Sequence, residues 1–220
     1  MLRSEFRKHP VMFTFVMTMI YIFLFFSIEK YGHHPRPHWI HCDLDDVIPF
    51  CKYFALPYFS WHVEMVLVPL ALYKKKDMPG LEKTIFTMFA VVFAASAVFV
   101  AYPSIIYLRP RNIVGGDLFA QAVRFLYAID NNRNVCPSLH VIVCVVLMRA
   151  VERMDLPKGR YAMFAAWNVL IILSTVFLKQ HSVIDVLAGI PFGMLTDTLV
   201  CNYLDHHDLI ENPEYARKSA

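Results

Sequence analysis

TIFTMFAVVFAASAVFVAYPSIIYL, Thr84–Leu108, runs 25 residues without a charged side chain. At about 1.5 Å per helical residue this exceeds the roughly 30 Å of hydrocarbon in a bilayer. It reads as a membrane-spanning helix, and the rest of the chain repeats the pattern. Val11–Ile28 is 18 residues free of charge, Tyr161–Leu178 is another 18, and Tyr53–Tyr73 is 21 interrupted only by His62 and Glu64. Asn134–Met148 is a 15-residue run that extends through Val151, and Ser182–Leu204 is broken by Asp185 and Asp197. The chain is 57% hydrophobic, against about 45–50% in soluble domains. The expectation is an all-α fold: an integral membrane six-helix bundle with both termini cytoplasmic. It forms one membrane domain over 1–220, with spans near 11–28, 53–73, 84–108, 135–151, 161–178 and 182–204 and a polar cytoplasmic tail, 205–220. No small-residue cleavage site follows the first span, which is expected to stay as a helix.

Lys and Arg set the orientation. With the N-terminus inside, 13 of the basic residues fall on the cytoplasmic side and 8 outside. The outer ones gather after the third span and beside His181, which suggests anion binding rather than topology. A formal charge of +3 says little about partners. Cys42, Cys51 and Cys136 would face outside, where a disulfide among them is open, as are free thiols.

Three motifs carry chemistry. CPSLH, Cys136–His140, opens the fourth span. Pro137 suits a first helical turn, and the N–H groups there, with the Ser138 hydroxyl, make an anion site. KQHSVID, Lys179–Asp185, opens the sixth. His181 and Asp185 are four apart and share a helix face, so the carboxylate can hold one imidazole nitrogen and leave the other free. RPR, Arg109–Arg111, ends the third span, and Arg presents a planar fork suited to phosphate. The six-span topology puts all three on the outer face. Two histidines, a carboxylate and nearby cations describe phosphoryl transfer without metal: one histidine attacks phosphorus and the other protonates the leaving alkoxide.

Arg109–Pro110, PSLH and His181-x3-Asp185 resemble the three signature motifs of the type 2 phosphatidic acid phosphatase superfamily, which also holds lipid phosphotransferases of the inositol-phosphorylceramide and sphingomyelin synthase type. The resemblance covers roughly Tyr102 to Gly189. It implies that His181 is the nucleophile that forms a phosphohistidine, that Asp185 orients it, and that His140 is the general acid and later activates water. Ser138 and Arg109 would hold the phosphate. No cofactor and no nucleic acid are implied. The partners are a lipid phosphate and the bilayer, and the location is the cell membrane with the site on the extracytoplasmic side.

The sequence departs from the family pattern twice. A lysine expected seven residues before Arg109 is Tyr102, and an arginine expected after Ser174 is Thr175. Lys179, Arg111 or Arg124 are the candidate replacements, Lys179 first because it adjoins His181. The departures point toward the phosphotransferase-like branch. Other readings stay open: a zinc site in the loop with His33, His34, His38, His41, Cys42, Asp43, Asp45 and Asp46, a headgroup pocket formed by the same loop, a transporter that uses the intramembrane charges, and an inactive lipid binder. His62 and Glu64 form a further intramembrane pair near an expected aromatic belt of Tyr58, Phe59 and Trp61. An amphipathic surface helix is expected in the loop after Arg109, with Leu118, Ala122, Phe125 and Leu126 on one face.

Overall fold

A computed structural model describes residues 2–31 and 36–211. The helices are α1 (Leu2–Lys8), α2 (Pro10–Tyr31), α3 (Asp43–Val47), α4 (Ala55–Lys74), α5 (Met78–Ala101), α6 (Leu118–Ile129), α7 (Leu139–Glu152), α8 (Lys158–Phe177) and α9 (Val183–Glu211). Two short strands, β1 (His38–Trp39) and β2 (Ser104–Ile105), pair in parallel. Five helices, α2, α4, α5, α8 and α9, are long and apolar enough to cross a membrane. Their outer faces carry large exposed apolar side chains such as Phe15, Phe23, Val66, Met163, Leu187 and Leu199, a surface that suits lipid rather than water.

α7 differs from the five. Its 14 residues span about 21 Å, short of the bilayer core, and every side chain from Val141 to Leu147 is buried. It packs against α4, α5, α8 and α9. A helix that is apolar on all sides belongs in a core, and α7 is the axis of the bundle. Two glycines let α9 close on it. A Cβ on Gly189 would lie 3.0 Å from the Val141 Cβ, and one on Gly193 would lie 3.0 Å from the Ile142 carbonyl oxygen. Small residues four apart are the usual means of close helix approach in membranes.

Helix ends follow local chemistry. Asp77 caps α5 by accepting from Gly80 N–H at 2.9 Å, and Asp117 caps α6 through Ala120 N–H. Hydroxyls inside the helices bond back to carbonyls three or four residues earlier, as at Thr14, Thr84, Ser174 and Thr175, which satisfies them where no water is at hand. The third apolar run ends its helix at Ala101, not Leu108, because Pro103 cannot continue it and Ser104–Ile105 pairs with His38–Trp39. The Ser104 hydroxyl then accepts from Val135 and Cys136 N–H at 3.0 and 3.1 Å. Three segments are thus tied together just ahead of α7.

Ion pairs gather at the opposite end of the bundle. Arg3 and Arg7 of α1 bond Glu82 and Asp208, and Lys83 bonds Asp205. The segment from Asp205, expected as a loose tail, therefore continues α9 to Glu211. Residues 212–220 lie outside the described residues. Asp197, fully buried, accepts from Arg149 at 2.5 Å and from Arg153 at 2.8 and 3.1 Å. It joins α7 to α9. Asp197→Asn is expected to lower stability by about 3 kcal/mol, since two arginines lose a buried partner. Phosphate-ester turnover of the folded fraction should be unchanged, as read by thermal unfolding beside an activity assay.

Other expectations change in place. Glu64 is buried, whereas His62 is exposed, so residues two apart on α4 diverge. On α6 the buried side chains are Ala120, Val123 and Leu126, packed with Ala55, Tyr58 and Leu178, while Leu118 and Phe125 are exposed. All five cysteines are free thiols.

Candidate active site

His181, Asp185, His140, Ser138 and Arg109 come together at one end of the bundle. α8 ends at Phe177, and a tight turn follows in which Lys179 takes a positive φ of 54°. The N–H groups of Gln180 and His181 both donate to the Thr175 carbonyl, at 2.9 and 3.1 Å. This fixes both residues before α9 begins.

The His181 Nδ1 lies 3.3 Å from Asp185 Oδ2, and Ser182 N–H donates to the same oxygen at 2.9 Å. A carboxylate only accepts, so Nδ1 carries a proton, and in the neutral ring the lone pair is then on Nε2. Asp185 is fully buried near the Cys136 thiol, and its Oδ1 has no hydrogen-bond partner among the described residues. Burial, with Asp185 beside it, pushes that thiol up to about 12. The Asp185 carbonyl accepts from Ser138 N–H at 3.3 Å, which joins the two motifs directly. Pro137 stands ahead of α7 rather than in its first turn. Ser138 is the cap, and its hydroxyl accepts from Val141 N–H at 3.5 Å.

His140 faces His181 with ring centres 5.9 Å apart. Tyr58 at 4.4 Å and Trp61 at 4.2 Å enclose its ring. Both aromatics are buried, so they form a box around His140 and not a belt at the lipid surface. His140 Nε2 is buried with no hydrogen-bond partner among the described residues.

The cations behave differently from expectation. Arg109 donates to the carbonyls of Asp130 at 2.8 Å and Asn131 at 2.6 Å and to the Gln180 side-chain oxygen, and it stacks over Tyr127 at 4.6 Å. It holds the site's own walls. Lys179 is buried, and its ammonium donates to the carbonyls of Asp45 and Ile48. Burial pulls its pKa down, against the charges of Asp45 and Asp46. It secures a loop, which corrects its place as first substitute for the missing cations. Arg124 donates to the carbonyls of Ile113 and Gly115, and Arg111 is exposed. Where the family pattern has basic residues, Tyr102 stacks on His38 at 3.9 Å and Thr175 is buried, with its hydroxyl on the Ile172 carbonyl.

Asp130 and Gln180 gain importance that the sequence did not signal, and Asp45 gains a role apart from a metal set. Asp130 carries a carboxyl that burial pushes up, against the neighbouring Arg109 and His181. Gln180 is 2% exposed beside His181. Asp45, 1% exposed, accepts from Ser182 Oγ at 2.6 Å, Val183 N–H at 2.8 Å and Cys42 N–H at 2.9 Å. The rest of its loop diverges: His41 pairs with Asp46, and His38 stacks on Tyr102. Among the described residues no three His, Cys, Asp or Glu side chains form a metal set, and His33 and His34 lie outside the described residues.

Burial alone would raise the Asp45 pKa. The bonds from Ser182, Val183 and Cys42 outweigh it and hold the carboxyl below its ordinary range. A group lowered on folding stabilises above its unfolded pKa, about 4, and loses that contribution as pH falls through the folded value. Asp45→Asn should therefore cost about 1–3 kcal/mol at neutral pH. The gap to wild type should close on acidification below about pH 4, as followed by thermal unfolding. A gap independent of pH would remove the charge from the explanation.

The sequence model of the PAP2 superfamily matches residues 25–198, a span that contains all three motifs. The chain belongs to the PAP2 superfamily. No curated protein and no solved structure matches it. PAP2 members are phosphatases and phosphoesterases, so the chemistry of this site is of the phosphatase type, on phosphate esters. The matched span includes His140, His181 and Asp185.

Proposed function

We propose that the chain is an integral membrane lipid-phosphate phosphatase that works through a phosphohistidine on His181. The observation that carries this is the Asp185-held His181 facing His140 at 5.9 Å. A nucleophile approaches to about 3–3.5 Å, and a general acid reaches its proton across about 2.6–3.2 Å. Two imidazoles that serve attack and departure at one phosphoryl group must both reach it, and rings this close can flank a single group. His181 Nε2 attacks phosphorus and the bond to the leaving oxygen breaks. His140, protonated, gives that oxygen its proton. Neutral His140 then takes a proton from water, which attacks the phosphohistidine and frees phosphate. Asp185 keeps the His181 proton on Nδ1 and offsets the charge the ring gains.

The substrate in this reading is a phosphomonoester or diphosphate of a lipid. Exposed apolar residues near the site end, such as Tyr53, Leu118 and Phe125, support access from the bilayer. We assign six spans, α2, α4, α5, α7, α8 and α9, with the site extracytoplasmic. The excess of Lys and Arg at the ion-paired end favours that end as cytoplasmic.

Purified protein should be offered phosphatidic acid, phosphatidylglycerol phosphate and a polyprenyl diphosphate, each with and without a lipid alcohol. Free phosphate in both cases is the expected result, with inhibition by vanadate and no effect of chelators. Product only when the alcohol is present would replace hydrolysis by transfer. No turnover of any of them would overturn the proposal.

A further inference from the structure

The phosphate cradle has lost the two cations expected at positions 102 and 175, and Lys179 and Arg124 are bound to backbone carbonyls. Charge developing on phosphoryl oxygens still needs donors aimed at it. Gln180 offers one. It is next to the nucleophile, it is buried, and its backbone is fixed with that of His181 on one carbonyl. Arg109 donates to its side-chain oxygen. A guanidinium has only donors, so it dictates which way the amide points: oxygen toward Arg109, NH2 away from it. That Nε2 is buried and has no hydrogen-bond partner among the described residues. Buried donors are rarely left so, and one beside a reactive histidine calls for a ligand.

We propose that the Gln180 amide donates to a non-bridging oxygen of the substrate phosphoryl group, and that Arg109 is a positioning residue acting through it. This rests on the phosphohistidine reading above. It places a neutral donor where the family pattern has cations. The cradle then carries less positive charge, and it discriminates by geometry more than by net charge.

The chain has two glutamines, Gln121 and Gln180. Gln121 is exposed on α6, with its amide on the Gly116 carbonyl. Protein labelled with nitrogen-15 at glutamine side chains therefore gives two amide pairs, and Gln121→Asn assigns them. Titration of the wild type with vanadate should move the Gln180 pair and leave the Gln121 pair still. In Arg109→Lys the Gln180 response should need about tenfold more vanadate. Gln180→Glu keeps an oxygen for Arg109 but removes the donors, and it should weaken vanadate inhibition and kcat/KM by about 30-fold or more. Gln180→Met, without charge, should do so by about tenfold.

A Gln180 signal that stays still while vanadate inhibits the wild type would overturn this assignment alone. So would folded Gln180 variants with unchanged vanadate inhibition. An undiminished response in Arg109→Lys would overturn the positioning role. A wild type that neither releases phosphate nor binds vanadate would overturn the phosphatase reading and this assignment with it.

Discussion

His181→Ala should abolish phosphate release from a lipid phosphate, by about 10⁴-fold or more, with little change in thermal unfolding. Among the described residues the ring's only polar anchor is Asp185. After the substitution that carboxylate keeps Ser182 N–H, so the start of α9 stays tied. The cost to stability should fall within about 1–2 kcal/mol. Acid-quenched wild type incubated with labelled substrate should carry phosphate on protein, and His181→Ala should carry none. Activity near the wild-type level in the variant would remove His181 as nucleophile.

Gly193→Leu should have the next largest effect. A first side-chain carbon there already lies 3.0 Å from the Ile142 carbonyl oxygen and 3.1 Å from the Val145 Cβ. The former is backbone and has no rotamer by which to yield. α9 must therefore move off α7 by the width of the added atoms. His140 rides on α7 and His181 stands at the start of α9, so the displacement goes directly into the distance between them. A shift of about 1 Å in a reacting pair costs about 100-fold in rate, and overpacking costs about 1–3 kcal/mol. Gly159 has open space around its missing side chain, so Gly159→Leu is the control and should leave activity and unfolding near the wild type. Equal behaviour of the two variants would mean that the α7–α9 contact does not set the site.

Much of this molecule is legible from its letters, for reasons that also mark where reading stops. Charge-free runs fix the long helices because a bilayer accepts little else. Length, however, cannot tell a helix that faces lipid from one enclosed by its neighbours, and α7 differs from α8 in that respect only through its surroundings. The apolar run to Leu108 overshoots because strand and helix are equally apolar there, and the partner strand lies 66 residues earlier. In the site, His181 and Asp185 are local, four residues apart, so their spacing declares them. The donors around them are not local. Lys179 looks like a phosphate ligand until the carbonyls of Asp45 and Ile48 are seen to hold it. Arg109 looks like one until its contacts with Asp130, Asn131 and Gln180 appear. Asp45 meets Ser182 across 137 positions of sequence, a distance over which no spacing rule operates. Asp197 reads as a lone intramembrane charge for the same reason: its arginines are 44 and 48 residues away.

The enclosure of α7 also bears on how the protein is made. A helix of 14 residues is a poor passenger in lipid by itself, since its ends fall short of the headgroups on both sides. It is comfortable only when walled in, and one of its walls is α9, the last helix to leave the ribosome among those described. Until α9 arrives, α7 lacks a neighbour and the motif on α7 lacks its counterpart. Chains interrupted before α9 are then both ill-seated in the membrane and chemically inert. The arrival of α9 thus seats α7 and brings Asp185 to the motif at its start in one step of biogenesis.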